Sequence, residues 1–276
     1  MREPPRVRHL RTAPSAGNAS GDQGVSFVRS RKQQRIVRAG SGADSVEFDL
    51  AAAALIVIDM QNDFLHPEGW FASRGIDGAP VRAVIPAVET LAAALRGAEV
   101  PVIWLNWGLR ADRANLSAFT INRGRSGGGA TYADPSPSGR GRILVQDEWG
   151  AAIVDELTVA DHDLIVHKHR LSGFWDNELD SVLRQQGITT LLFAGINIDR
   201  CVFSTLQDAS FLGYDCLLVE DACATVSPDF VRDAILFLVR KLHGAVASSG
   251  AILSAIGLPD PAPSSKDRAN PNRSAP

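Results

Sequence analysis

The stretch ITTLLFAGINIDRCVFSTL, residues 188–206, decides the fold of this chain. Its first seven residues are all β-branched or apolar, which predicts a strand buried on both faces of a parallel sheet. Gly195 and a short polar turn follow, and the apolar spacing then becomes helical, so Cys201 is predicted to open a helix. The stretch therefore predicts a strand, a tight turn and a thiol at the N-terminus of a helix.

A cysteine in that position carries a specific chemical expectation. The first backbone N–H groups of a helix have no partner within the helix, and the helix dipole adds partial positive charge there. We therefore expect the Cys201 thiol to be shifted towards thiolate, the form that attacks carbonyl carbons. The same N–H groups could bind the oxyanion of a tetrahedral intermediate. The alternative is that Cys201 is simply a small buried residue of the core.

Strands and helices alternate on both sides of this stretch. We predict further strands at 51–58, 100–105, 164–168, 216–220 and 245–247, and further helices at 81–96, 151–157, 176–186 and 228–242. Strands separated by helices of this length indicate right-handed crossovers and a mostly parallel sheet of about six strands. The predicted fold class is α/β, a Rossmann-like three-layer α/β/α architecture. The segment 108–141 is too long and polar for an ordinary connection, and we interpret it as a lid or an oligomer contact.

The composition is that of an ordinary globular protein, with 276 residues, 45% hydrophobic, 21% charged and a net charge of −3. We predict one folded domain at 46–258 between tails without regular structure at 1–45 and 259–276. The first tail carries nine Lys or Arg against three Asp or Glu. Aromatic residues do not interleave its arginines, so we expect no nucleic-acid partner. An organellar transit peptide is the alternative interpretation of this basic start.

Cysteine usage and hydropathy bear on the location of the protein. The three cysteines have no regular spacing, so they do not form a disulfide framework and indicate a reducing compartment. No apolar run approaches the roughly 18 residues of a membrane span. We therefore expect a cytoplasmic protein with no membrane partner.

Three reactive side chains follow predicted strands. Asp59 comes after the first strand, Lys168 ends the third, and Cys201 lies just past the fourth. Because ligands of open α/β sheets bind at the carboxyl ends of the strands, we expect these side chains to meet in one site. Asp59 would accept the thiol proton, Lys168 would stabilise both anions, and Cys201 would attack an amide-like carbonyl. Taken singly, an Asp in this position is commonly a turn former and a Lys is commonly solvated.

Four segments resemble the isochorismatase-like cysteine hydrolase family in order and spacing, over about residues 50–256. They are ALIVIDMQNDF at 54–64, VHKHRLSGF at 166–174, GINIDRCV at 195–202 and EDACAT at 220–225. The resemblance implies that Asp59, Lys168 and Cys201 are catalytic, and that the Ile196–Asn197 peptide bond is cis. It also implies that the N–H groups of Asn197 and Cys201 form the oxyanion hole, and that the chain is a homo-oligomer, either a dimer or a tetramer.

Departures from the family pattern narrow the expected reaction. Nicotinamide-hydrolysing members bind a metal through an Asp and several His, whereas this chain reads WLNWGLR at 104–110, so we expect no metal and no cofactor. Isochorismatases themselves lack the nucleophilic cysteine, because cleavage of a vinyl ether needs no acyl-enzyme. The remaining branch acts on linear amides, ureas and carbamoyl compounds, and the chain looks most like ureidoacrylate and biuret amidohydrolases. Two alternatives stay open: a non-catalytic interaction protein on the same scaffold, and a hydrolase of the family that acts on a nicotinamide-like amide or an isochorismate-like vinyl ether.

Further residues near the expected site are candidates for contact with the substrate. We predict that Gln61, Phe64, Asn106, Trp107 and Phe174 contact it, with packing as the alternative for the three aromatic residues. For Arg200 three partners stay open: an acidic group of the substrate, Asp199 or Asp208.

Overall fold

The computed structural model describes residues 32–42, 45–125 and 128–257. Its centre is a six-stranded sheet in which all neighbouring strands are parallel. The strands are β3 (Ala53–Ile58), β4 (Val102–Trp107), β5 (Leu164–Lys168), β6 (Thr190–Ile196), β7 (Asp215–Ala224) and β8 (Ala245–Ala247), in the spatial order β5-β4-β3-β6-β7-β8. Helices flank this sheet on both faces, which confirms the predicted three-layer Rossmann-like fold.

The helices are short around the first strand and longer between the later ones. They are α1 (Asn62–Leu65), α2 (Trp70–Ser73), α3 (Ala79–Arg82), α4 (Ile85–Gly97), α5 (Ala118–Arg125), α6 (Leu179–Gln185), α7 (Phe203–Phe211), α8 (Asp229–Leu238) and α9 (Ser249–Ala255). Five-residue π-helical segments at Ile198–Val202 and Val239–His243 precede α7 and follow α8. None of the helices in the described ranges is long and apolar enough to cross a bilayer.

The centre of the sheet explains the apolar runs of the sequence. Every residue of β3, β4 and β6 is buried, because these strands have neighbours on both edges and helices on both faces. β6 ends at a point of unusually close approach, since a Cβ atom at Gly195 would lie 2.2 Å from the Ile58 carbonyl oxygen. Gly195 also has a φ of +108°, which L side chains rarely adopt. The two central strands can therefore end side by side only with glycine here.

An antiparallel hairpin precedes the sheet and corrects the predicted domain start. It consists of β1 (Ile36–Ala39) and β2 (Val46–Asp49), and β1 packs against α9. Because β1 falls inside the stretch predicted to lack regular structure, the ordered part begins before the predicted boundary. The predicted tail segments 1–31 and 259–276 lie outside the described residues.

Other element boundaries differ in ways that affect the site. β4 runs two residues beyond the predicted strand, so Asn106 and Trp107 belong to it. β7 continues to Ala224, because pairing with β6 resumes after a register shift between Phe193 and Gly195. The predicted helix at 151–157 is wrong: only a 3-10 turn forms, at Trp149–Ala151. The segment predicted as a long loop contains α5.

Candidate active site

The three reactive residues of the sequence analysis meet at the carboxyl edge of the sheet. Lys168 is the last residue of β5 and Asp59 follows β3 directly. Asp59 has a φ of +56°, a left-handed conformation that turns the chain out of the strand, and its N–H group donates to the Leu105 carbonyl at 3.0 Å. Cys201 lies in the π-helical segment just after β6.

Asp59 and Lys168 form a buried ion pair. The Lys168 Nζ atom lies 3.0 Å from Asp59 Oδ2, and the two side chains are 0% and 2% exposed. Lys168 Nζ also donates to the Arg170 carbonyl at 3.4 Å. Because an unpaired charge is very costly in such an environment, each of these groups requires the other.

The two oxygens of the Asp59 carboxylate have different environments. Oδ2 accepts the hydrogen bond from Lys168, whereas Oδ1 is buried and has no hydrogen-bond partner of ordinary geometry within the described part of the chain. Besides Lys168, the Cys201 thiol and the Trp107 backbone N–H interact with this carboxylate. Oδ1 is therefore the atom of the site that is free to take a proton from the thiol.

Burial controls the protonation of both groups. It raises the pKa of Asp59, against the lowering effects of the Lys168 ammonium and the Cys201 thiol. It also raises the pKa of Cys201 to about 12, and the negative charge of Asp59 adds to that rise. The expectation that the thiol is shifted towards thiolate is therefore wrong for the resting site, because burial and the neighbouring carboxylate outweigh Lys168.

The turn that carries Cys201 is held by side chains at the end of β7. The peptide bond Ile196–Asn197 is cis, as the family resemblance implied. The Asn197 side-chain oxygen accepts from the Val226 N–H at 3.1 Å and the Thr225 hydroxyl at 3.3 Å. The helical segment begins at Ile198, so Cys201 does not open it as predicted. The assignment of the Asn197 and Cys201 N–H groups to an oxyanion hole stays a prediction.

Trp107 contacts the reactive groups directly. The Lys168 Nζ atom lies 4.3 Å from the centre of its ring, a cation–π arrangement. Its indole N–H interacts with Cys201 and lowers the pKa of the thiol. The residue thus touches two of the three reactive side chains, which goes beyond the packing alternative considered for it.

Gln61 holds Trp107 in place. Its Nε2 atom donates to the carbonyl oxygens of Trp107 and Ala151, both at 2.7 Å, and its Oε1 atom accepts from the Trp107 N–H at 2.9 Å. The amide is thus occupied by backbone groups, and the role that the structure shows for Gln61 is positioning. Its contact with the substrate stays a prediction.

The other predicted substrate contacts differ in their surroundings. Phe64 packs edge-on against Phe71, with ring centres 4.9 Å apart, and Phe174 lies 5.7 Å from the ring of Tyr214. Asn106 is buried, and its Oδ1 atom has no hydrogen-bond partner among the described residues. A role in substrate binding stays a prediction for these three residues.

An aromatic column connects Trp107 to the long segment after β4. Tyr132 stacks on Trp107, with ring centres 5.3 Å apart, and Trp70 packs on Tyr132 at 5.1 Å. The Trp70 indole N–H donates to the Ala130 carbonyl at 2.9 Å. This arrangement, which sequence analysis missed, fits the lid interpretation of the segment, because the column continues directly to Trp107. A tryptophan and a tyrosine far apart in sequence give no local signal that they stack.

Asp63 connects α2 to the chain just after this segment, and it was also missed. Its carboxylate accepts from the Leu144 N–H at 2.8 Å and the Trp70 N–H at 3.2 Å. Burial raises its pKa to about 6, although both of these hydrogen bonds oppose the rise. The only sequence signal was an acidic residue four positions after Asp59, next to an apolar strand.

Arg200 takes one of the partners that were left open. Its Nε atom lies 3.6 Å from Asp199 Oδ2, and its Nη2 atom donates to the Ser227 hydroxyl at 3.2 Å. Asp208, the other candidate, accepts instead from the Trp175 indole at 2.7 Å. Across the described ranges, no three His, Cys, Asp or Glu side chains are grouped in a way that could hold a metal ion.

Comparisons with known proteins agree with this fold. A family model described as the isochorismatase domain matches residues 53–251. A cysteine hydrolase from Pseudomonas syringae pv. phaseolicola 1448A is similar at a TM-score of 0.64, with 22% identity over 82% of this chain and 98% of that one, which shows the fold. An isochorismatase family protein from Desulfovibrio vulgaris subsp. vulgaris str. Hildenborough is 27% identical over 74% and 97% of the two chains, with a TM-score of 0.60. N-carbamoylsarcosine amidase from Thermoplasma acidophilum is 25% identical over 71% and 96%, with a TM-score of 0.54.

Proposed function

The chain belongs to the isochorismatase-like cysteine hydrolase family, and from this premise we propose that it is an amidohydrolase of small molecules. The substrate class is a linear amide, urea or carbamoyl compound whose C–N bond is cleaved through a thioester. The observation that carries the proposal is the asymmetry of the Asp59 carboxylate, with one oxygen on Lys168 and the other buried and free beside the Cys201 thiol.

The first half of the reaction forms the acyl-enzyme. Asp59 Oδ1 takes the thiol proton as the Cys201 sulfur attacks the carbonyl carbon, so a C–S bond forms while the carbonyl electron pair moves onto oxygen. The N–H groups of Asn197 and Cys201 bind this oxyanion. The tetrahedral intermediate then collapses, the C–N bond breaks, and Asp59 gives its proton to the leaving ammonia or amine.

The second half releases the acid. Asp59 takes a proton from water, the hydroxide attacks the thioester carbon, and the C–S bond breaks as the sulfur recovers the proton. The high pKa of Cys201 suits this cycle, since the thiol stays neutral until a substrate carbonyl is in place. The Lys168 ammonium, 3.0 Å from Asp59 Oδ2, limits the build-up of negative charge near Asp59.

Two observations support a carbamoyl or amide substrate over the alternatives. A thiol beside a proton acceptor suits acyl transfer, whereas hydrolysis of a vinyl ether requires no acyl-enzyme and therefore no nucleophilic thiol. The similarity to N-carbamoylsarcosine amidase agrees with cleavage of a C–N bond. Within this class, ureidoacrylate and biuret remain the compounds that the sequence favours.

Ammonia release from a panel of substrates tests the proposal. The panel contains ureidoacrylate, biuret, N-carbamoyl amino acids, maleamate and nicotinamide, each with and without a chelator. We expect release from at least one carbamoyl compound or linear amide, insensitive to the chelator and abolished by Cys201→Ala. Cys216→Ala is the matched control, because Cys216 is equally buried but lies in β7.

The competing hypothesis is a non-catalytic interaction protein. It predicts that no compound of the panel releases ammonia. It also predicts no acyl adduct at Cys201 when the protein is incubated with substrate and analysed by mass spectrometry. An adduct at Cys201 in the absence of turnover would instead indicate an untested amide of the same chemical class.

A further inference from the structure

Asp199 lies in the turn between the two residues of the proposed oxyanion hole, and the proposed reaction gives it no role. It belongs to the π-helical segment Ile198–Val202, two residues after Asn197 and two before Cys201. Its side chain is only 11% exposed. Because a carboxylate loses hydration when it is removed from water, an Asp in such a position needs specific partners. The partners of Asp199 therefore indicate what it does.

Both carboxylate oxygens of Asp199 accept from hydroxyl groups just beyond the end of β7. Oδ1 accepts from Thr225 at 2.6 Å, and Oδ2 accepts from Ser227 at 2.8 Å. Hydrogen bonds to an ionised carboxylate are shorter and stronger than those between neutral groups. We call Asp199, Thr225 and Ser227 the Asp199 clamp. It joins the turn of the nucleophile to the chain that follows β7 through both oxygens of one side chain.

The clamp also orients the groups that contact Asn197. The Thr225 hydroxyl oxygen lies 3.3 Å from Asn197 Oδ1 and 2.6 Å from Asp199 Oδ1. A hydroxyl has one hydrogen, so the shorter bond, to the carboxylate, is the main one. The Ser227 N–H donates to the same hydroxyl oxygen at 3.0 Å. The Val226 N–H donates to Asn197 Oδ1 at 3.1 Å. Asp199 thus holds the chain after β7 in the position from which it contacts Asn197.

Arg200 supplies the counter-charge of the clamp. Its Nε atom lies 3.6 Å from Asp199 Oδ2, and its Nη2 atom donates to the Ser227 hydroxyl at 3.2 Å. The guanidinium balances the negative charge of the carboxylate. The clamp can therefore hold the turn without adding net charge beside Cys201.

We infer that Asp199 is a positioning residue for the proposed hydrolysis, an inference that rests on the proposed function. Acting through Thr225 and the chain after β7, it fixes the turn so that the N–H groups of Asn197 and Cys201 point to the place where the oxyanion forms. Such donors accelerate a reaction because they are oriented before it begins and need no reorganisation during it. A displacement of about 1 Å in a positioning group can lower the rate by about 100-fold.

Asp199→Asn tests the inference on the panel compound that the wild type hydrolyses fastest. The amide keeps the shape of the carboxylate, but its single oxygen cannot accept from the two hydroxyls as the carboxylate does. We expect kcat to fall about 10- to 100-fold while KM changes by less than about threefold, because the clamp acts on the transition state. Thr225→Val should have the same effect, whereas Thr225→Ser, which keeps the hydroxyl, should retain most of the activity. If Asp199→Asn does not fold, the two Thr225 variants make the same comparison.

Asp221→Asn is the matched control. The two oxygens of Asp221 accept from the N–H and the hydroxyl of Ser249, both at 2.6 Å, so these bonds join β7 to α9 and not to the turn of the nucleophile. This variant should lose stability in urea denaturation, as Asp199→Asn does, but its kcat should stay within about twofold of the wild type. A fall in kcat that appears in both variants would overturn the inference, since loss of stability would then explain it.

Iodoacetamide labelling of Cys201, assigned by mass spectrometry of the peptides, separates the oxyanion hole from the thiol. Displacement of iodide by sulfur forms no oxyanion, so Asp199→Asn should be labelled within about twofold of the wild-type rate although it hydrolyses slowly. An unchanged kcat, or equal falls in kcat and labelling, would overturn the inference while the wild type remained active. A wild type that hydrolyses no compound of the panel would instead overturn the proposed function and this inference together.

Discussion

The Lys168 ammonium lies 4.3 Å from the centre of the Trp107 ring, and that ring in turn lies under Tyr132 of the long segment after β4. A buried cation is thus held between a carboxylate, Asp59, and an aromatic face. The same tryptophan interacts with the Cys201 thiol through its indole N–H. Trp107 therefore lies between the long segment after β4 and the groups that would perform the chemistry.

Trp107→Phe should raise the pKa of Cys201 while keeping an aromatic ring stacked on Tyr132. Phenylalanine keeps a ring between Lys168 and Tyr132 but removes the N–H that lowers the pKa of the thiol. A neutral hydrogen bond contributes about 1 kcal/mol, so we expect the alkylation profile to move up by roughly 0.7 of a pH unit. The rate of iodoacetamide labelling against pH measures it. An unchanged profile would show that the indole N–H does not act on the sulfur.

Asp59→Asn should abolish activity and also destabilise the fold. The amide cannot take the thiol proton, so kcat/KM should fall by about 10³-fold. The variant also leaves the Lys168 ammonium buried without a counter-ion, which typically costs about 3 to 5 kcal/mol in the free energy of unfolding.

The double variant Asp59→Asn/Lys168→Met separates these two effects. Because it removes the buried charge, it should recover most of the stability in urea denaturation while remaining inactive. If the double variant were as unstable as Asp59→Asn, the loss would have a cause other than the unpaired ammonium.

Asp63 should make the protein less stable as the pH rises between about 4 and 6. Burial raises its folded pKa to about 6, from 3.8 for the free side chain, so the folded state keeps a proton that the unfolded state loses. The contribution of Asp63 to the free energy of unfolding is greatest below pH 3.8, declines as the pH rises to about 6, and is constant above that. The loss is at most about 3 kcal/mol.

The test compares Asp63→Asn with the wild type by measuring the free energy of unfolding in urea as a function of pH. The variant has no titrating carboxyl, so its free energy of unfolding should decline less than that of the wild type over this window. Parallel curves would mean that Asp63 does not titrate there. A lower stability of the variant at every pH is expected, because an amide cannot accept from both the Leu144 and Trp70 N–H groups in the same way.

Gly195→Ala should be far more damaging than Gly213→Ala. Both glycines have a positive φ, but a Cβ atom at Gly195 would lie 2.2 Å from the Ile58 carbonyl oxygen, whereas Gly213 has open space. We expect a loss of about 1 to 2 kcal/mol at Gly213 and more than about 4 kcal/mol at Gly195. Thermal unfolding monitored by circular dichroism compares the two, and similar losses would contradict the close approach of β3 and β6.

The sequence by itself determined the six strands of the central sheet, the class of fold and the placement of three reactive side chains. Buried parallel strands leave continuous apolar runs, and the carboxyl ends of such strands meet at one edge of the sheet, so Asp59, Lys168 and Cys201 could be assigned to one site from their positions alone. The segment boundaries were less accurate, since β7 continues past a register shift that has no local signal.

Only the tertiary structure decided the state of the thiol and the surroundings of the site. Local reasoning predicted a thiolate at Cys201, but the pKa depends on the burial that distant segments jointly produce and on the charge of Asp59. The column of Trp70, Tyr132 and Trp107 likewise joins residues that lie 25 and 62 positions apart along the chain. Burial and stacking depend on contacts between distant parts of the chain that form only in the folded protein. Periodicity along the sequence does not predict these contacts.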